Sequence, residues 1–87
     1  MPYAVEFSDQ AKKEYTAWAT HNPARAAKID ELIESIGRDP YRGIGKPEQL
    51  KHGKRGYWSR RITQHHRITY EVKGNTIYVL HCYGHYE

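Results

Sequence analysis

Much of what marks a secreted or membrane protein is missing from this chain. Cys82 is its single cysteine, so no internal disulfide can form and a reducing compartment fits. No apolar run approaches the roughly 20 residues needed to cross a bilayer. The N-terminus carries neither the basic nor the apolar region of a secretion signal. The expectation is a cytoplasmic protein with no membrane partner. Hydrophobic residues make up only 38% of the 87 positions, enough for one small core and no second domain. Low-complexity tracts and repeats are absent too, and clear apolar periodicity argues for a folded chain. Eight tyrosines and two tryptophans supply core volume, and their polar tips suit a surface that also binds.

Acidic residues are scarce in one region above all. From Lys46 to Arg67 there are seven lysines and arginines against one carboxylate, Glu48, whereas most acids lie in the first half. The net charge is +4 and the pI about 9.3. A one-sided basic face is the electrostatic footprint of a phosphate binder.

The pattern predicts a short strand over Tyr3 to Phe7, with Ser8 capping a helix whose face is Ala11, Tyr15 and Trp18. Asn22-Pro23 restarts the signals as a cap followed by proline at the first helical position. Ala26, Ile29, Leu32, Ile33 and Ile36 form the second helix's stripe, and Gly37 is expected to stop it. Residues 38–45 hold Pro40, Gly43 and Gly45 and predict a loop. Tyr57 to Thr63 and His66 to Val72 predict strands joined at Gln64-His65, and Gly74-Asn75 a further turn. Thr76 to Tyr83 is nearly continuous in apolar and aromatic residues and is expected to be the buried central strand. The fold class is α+β: two N-terminal helices on one face of a twisted antiparallel sheet, the other face free for a ligand.

Several side chains in this frame carry chemistry. Glu48, in KPEQLKH, is either a surface carboxylate pairing with Lys46 or Lys51, or a general base within reach of a ribose 2′-hydroxyl. Arg60 and Arg61 are neighbours in a strand and must point to opposite faces, so one of them at most joins a site on the open face. Arg67 starts the next strand, and guanidinium groups suit phosphate contacts and a developing phosphorane charge. His85 and Tyr86 follow Gly84 at the chain end, an imidazole able to donate a proton and an aromatic able to stack. Six histidines raise the question of zinc, but one cysteine and no second ligand pair at usable spacing predict no metal and no cofactor.

Together the residues resemble the YoeB/Txe family of toxins from bacterial type II toxin–antitoxin modules, within the RelE/ParE superfamily. The resemblance rests on Trp18, DELIESI, the stretch DPYRGIGKPEQLKHGKRGYWSRRITQHHRITYEV and the ending HCYGHY. It implies a RelE-like fold, akin to small microbial ribonucleases, and ribosome-dependent cleavage of mRNA. By position it implies Glu48 as general base, Arg67 as the arginine that stabilises the phosphate, and His85 as general acid. Lys51 and Arg61 match supporting cations, and Tyr86 matches a residue that positions the nucleotide. Lys46 and Arg60 are counted with the substrate-binding candidates. The implied partners are the ribosome, mRNA, a YefM/Axe-type antitoxin with an acidic C-terminal segment, and a second toxin copy. Tyr41, Gln64-His65 and the additional Glu87 depart from the family pattern. A basic RNA- or ribosome-binding module that does not cleave is the alternative reading.

Overall fold

The computed structural model of the chain describes residues 3–50 and 56–84. Its elements are β1 (Ala4–Phe7), α1 (Asp9–His21), α2 (Pro23–Arg38), β2 (Glu48–Gln49), β3 (Tyr57–Arg61), β4 (Arg67–Lys73) and β5 (Thr76–His81). Local chemistry accounts for most of their ends. The Ser8 hydroxyl accepts from the Ala11 N–H at 3.0 Å and donates to the Leu80 carbonyl at 2.9 Å, so one side chain caps α1 and ties it to β5. Asn22 closes α1 through its own N–H to the Trp18 carbonyl, and its side chain accepts from the Arg25 N–H to open α2. The helix does not stop at Gly37. It runs through to Arg38 and ends at Asp39, which is extended (φ −154°, ψ 104°) because the following Pro40 excludes helical geometry from the residue before it.

The sheet order is β1-β5-β4-β3-β2. Two expectations are corrected here. The central strand is β4, with β5 beside it, and only alternate residues of β5, Ile77 and Val79, are buried. Helices cover one face of the sheet alone, so an internal strand still has a wetter face. The sheet is also mixed rather than wholly antiparallel. β1 pairs parallel with β5, Val5 opposite Ile77, while the other pairings are antiparallel. α1, α2 and the strands β2 to β4 all lie between β1 and β5, a connection long enough for a parallel pair. The reversal between β3 and β4 spans Ile62 to His66, with both the Ile62 and Thr63 N–H groups donating to the His66 carbonyl.

Ala11, Ile29, Leu32 and Ile36 of the helices pack on Ile68, Tyr70, Ile77 and Val79 of the sheet, with Tyr15, Trp18, Ile33 and Trp58 closing the edges. This meets the expectation of one helical layer on one sheet face. Cys82 lies within the core at 0% exposure, and burial pushes its thiol up to about 12. At pH 8 the thiolate fraction would be on the order of 10⁻⁴, so a thiol reagent should label the protein slowly in buffer and rapidly in denaturant. Fast native labelling, followed by absorbance, would contradict this packing.

Candidate active site

Arg60 and Arg61 part as the pleat requires, Arg60 toward the helices and Arg61 into solvent. Arg60 is fully buried. Its Nε donates to the Tyr70 hydroxyl at 3.2 Å and its Nη1 to the Ser35 hydroxyl at 2.7 Å and the Ile44 carbonyl at 3.1 Å. Its Nη2 donates to the carbonyls of Asp39 at 2.6 Å and Arg42 at 2.8 Å. Tyr70 in turn donates to the Pro40 carbonyl at 2.5 Å. As a substrate-binding candidate Arg60 is therefore corrected: all of its donor directions point into the protein, and it staples the 39–44 loop to the sheet.

That loop delivers the next residues to the open face. Gly45 has φ +82°, and a Cβ there would stand 2.6 Å from Leu32 Cδ2 and 3.1 Å from the Arg61 carbonyl oxygen. Its own carbonyl accepts from the Arg61 N–H at 2.7 Å. Only glycine permits this turn and this approach together. Lys46 follows at φ +52°, an uncommon geometry for a residue with a side chain, and Glu48 then enters the edge strand β2.

Register now brings distant residues together. Glu48 pairs with Ser59, and Arg61 with Arg67. On the face away from the helices, Arg67 Nη1 donates to Glu48 Oε1 at 3.2 Å and to the Ser59 hydroxyl at 3.2 Å. Arg67 is 14% exposed and Glu48 60% exposed, so the cation is the enclosed partner and the carboxylate the open one. Lys46, Pro47, Glu48, Arg61 and Arg67 line an open cavity of about 190 Å³. A larger, mostly apolar hollow of about 760 Å³ lies over Val5, Phe7, Tyr15 and Ile33, but it has no comparable convergence of cations with a carboxylate. We place the site at the smaller one because charge, not volume, selects a phosphate.

Of the predicted site residues, then, Lys46, Glu48, Arg61 and Arg67 converge and Arg60 does not. Lys51, His85 and Tyr86 lie outside the described residues. Ser59, fully buried, orients Arg67 and went unnoticed in the sequence, because only the β3–β4 register puts it there. Tyr57 and Trp58 are partly buried, and Trp58 packs edge-on to Tyr41 at 5.2 Å between ring centres. Among the described residues no group of three or more His, Cys, Asp or Glu is placed to hold a metal ion. No described helix is long and apolar enough to cross a membrane.

The segment leading to His85 is described as far as Gly84. Cys82 N–H donates to Glu14 Oε1 at 2.7 Å, and the Trp18 indole N–H donates to the Cys82 carbonyl at 2.8 Å. Gly84 turns the chain at φ +81°, the bend expected of a glycine there. Its N–H donates to His66 Nδ1, and its carbonyl accepts from the Arg67 N–H, both at 2.9 Å. Gly84 is therefore bonded to the start of β4, next to the Arg67 site.

The sequence and the fold are similar to those of known proteins. Residues 7–86 match the model of the YoeB-like toxin of bacterial type II toxin–antitoxin system. The chain is 40% identical over 80 residues to the toxin YoeB of Escherichia coli K12, covering 92% of this chain and 95% of that one. It is also similar to the YoeB dimer from Staphylococcus aureus, with a TM-score of 0.89, 40% identity, and coverage of 99% of this chain and 100% of that one. The YoeB–YefM complex from the same organism aligns at a TM-score of 0.85 and 41% identity, over 99% of this chain and 100% of its toxin chain. The RelE-like architecture implied by the sequence is the one found. By family match, sequence identity and fold, the chain belongs to the YoeB-like toxins of bacterial type II toxin–antitoxin systems.

Proposed function

We propose that this toxin is a ribosome-dependent mRNA endoribonuclease that cleaves by attack of a ribose 2′-hydroxyl on the adjacent phosphorus. The observation that carries this reading is the Glu48–Arg67 pair, a carboxylate and a guanidinium in contact on an open, cationic sheet face. In the free protein the Glu48 carboxylate sits against Arg67 much as a phosphate would. An incoming scissile phosphate takes that place on Arg67 and frees Glu48 for the 2′-hydroxyl. Glu48 accepts the 2′-hydroxyl proton as the O2′–P bond forms. Arg67, held by Ser59 and assisted by Arg61, Lys46 and Lys51, stabilises the added negative charge on the phosphorane. The P–O5′ bond breaks as His85 gives a proton to the leaving oxygen, and Tyr86 positions the nucleotide. The products are a 2′,3′-cyclic phosphate and a 5′-hydroxyl.

The same cationic face is the docking surface for an antitoxin of the YefM type, whose acidic C-terminal segment neutralises it, and the toxin associates with a second copy of itself. Both partners are supported by the assemblies of the Staphylococcus aureus relatives.

The test is cleavage of a defined mRNA on purified ribosomes, with the new ends mapped. A 2′,3′-cyclic phosphate and a 5′-hydroxyl are expected, and a single 2′-deoxy substitution at the cleavage point should abolish the cut. Cleavage that survives this substitution rules out the 2′-hydroxyl route. Salt-sensitive ribosome binding without new ends would identify a module that only binds.

A further inference from the structure

Gly84 is bracketed by consecutive residues. Its N–H is taken by the His66 side chain and its carbonyl by the Arg67 backbone. The backbone N–H can only donate, so Nδ1 must be an acceptor and His66 a neutral imidazole with its proton on Nε2. The ring is held from three sides. Trp18 of α1 meets it edge-on at 4.9 Å between centres, and Tyr83 lies at 4.7 Å. Arg25 of α2 stacks over Trp18 at 4.9 Å. Among the described residues, the charged or titratable groups facing His66 are Arg25 from α2, His65 from its own turn and Tyr83 from the segment after β5. Burial pushes the His66 imidazole below its ordinary 6.5, and Arg25 and His65 push it the same way.

We propose that His66 is a positioning residue, whose neutral imidazole holds Gly84, the residue before His85 in the sequence, against the start of β4 and whose protonation breaks that hold. This rests on the assignment of His85 as general acid. A proton on Nδ1 would set two donors against each other, and the Gly84 peptide would have to turn away. A second charge would also face Arg25. The two histidines thus make opposite demands: His85 must hold a proton to act, while His66 must lack one to accept from the Gly84 N–H. With the folded-state value of His66 below the unfolded 6.5, the unfolded chain binds the proton first. The stability His66 contributes is complete above 6.5 and is lost as pH falls through the folded value.

The experiment follows exchange of the Gly84 amide by NMR from pH 8 to pH 5, alongside single-turnover cleavage on ribosomes. The wild type is compared with His66→Asn, which keeps an acceptor near Nδ1 but does not titrate, with His66→Phe, which keeps a ring but no acceptor, and with His85→Ala. In the wild type, amide protection should disappear as His66 takes up its proton. In His66→Asn protection should persist to low pH, with cleavage within about threefold of wild type and a shallower acid limb. His66→Phe should lose protection at every pH and cleave on the order of 10²-fold more slowly with KM little changed, the scale expected when a reacting group is misplaced by about 1 Å. Amide protection independent of pH in the wild type overturns the proposal and needs no variant to fold. Wild-type cleavage by His66→Phe, with His85→Ala inactive, also overturns it. Full activity of His85→Ala instead removes the acid assignment and leaves the His66 tether to be decided by the amide exchange alone.

Discussion

Arg67→Ala is expected to slow mRNA cleavage on the ribosome by about 10²–10³-fold, the loss seen when one donor aimed at developing charge is removed. Two contacts disappear together. In the proposed mechanism the phosphorane loses its main cation, and Glu48 loses the group that holds it at 3.2 Å. Arg67→Lys should recover little, because an ammonium cannot contact a phosphate and the Ser59 hydroxyl in the fixed geometry of a planar fork. Glu48→Ala should cost about 10²–10⁴-fold, in the range of general-base removal. The double variant should fall well short of the product of the two, since the residues touch and act on one step. Neither change should unfold the protein. Glu48 is 60% exposed, and an ion pair with one partner so open contributes about 0–1 kcal/mol. Single-turnover cleavage with a thermal melt of each variant checks both halves. Cleavage by Arg67→Ala within threefold of wild type would end the assignment.

The second large effect is on stability and comes from Arg60, a residue that reads from the sequence as one more cation for RNA. Arg60→Met is expected to destabilise the fold by about 3–5 kcal/mol, since hydrogen bonds to a charged group are each worth about 1.5–3 kcal/mol and the truncation leaves five acceptors, two of them buried hydroxyls, without this partner. Those acceptors are the Ser35 and Tyr70 hydroxyls and the carbonyls of Asp39, Arg42 and Ile44. For a domain of this size the melting temperature should drop by roughly 12–40 °C. Arg60→Lys should not rescue it, because one nitrogen cannot span five acceptors on three segments. Activity should fall as well, since the stapled loop runs directly into Lys46 and Glu48. A denaturant midpoint unchanged in Arg60→Met would show that the loop is held by other means.

The two arginines show where sequence reading reaches its limit. Alternation along β3 requires that Arg60 and Arg61 face opposite ways, but it is symmetric between them. Only the packing of α2, which brings Ser35 to Arg60, decides which one is buried. The same limit applies to β5. Its apolar run matched an internal strand, yet the central place went to β4, because β3 and β2 extend the sheet beyond β4 while only β1 lies beyond β5.

Residue chemistry acting over a few positions determined much of this protein. Ser8 and Asn22-Pro23 start the helices, the apolar stripes choose their inner faces, and Asp39-Pro40 ends the second. The motifs announced the family, and the basic run with its lone carboxylate underlies the ligand class proposed for it. What the tertiary structure alone decided is proximity. Glu48 reaches Arg67 through the β2–β3–β4 register, and Ser59 lies under the same guanidinium. His66 reaches Gly84 because the end of β5 runs beside the start of β4. A side chain's local preference acts over one turn or one pleat, whereas strand register couples residues 18 and 19 positions apart, and no short-range pattern encodes it.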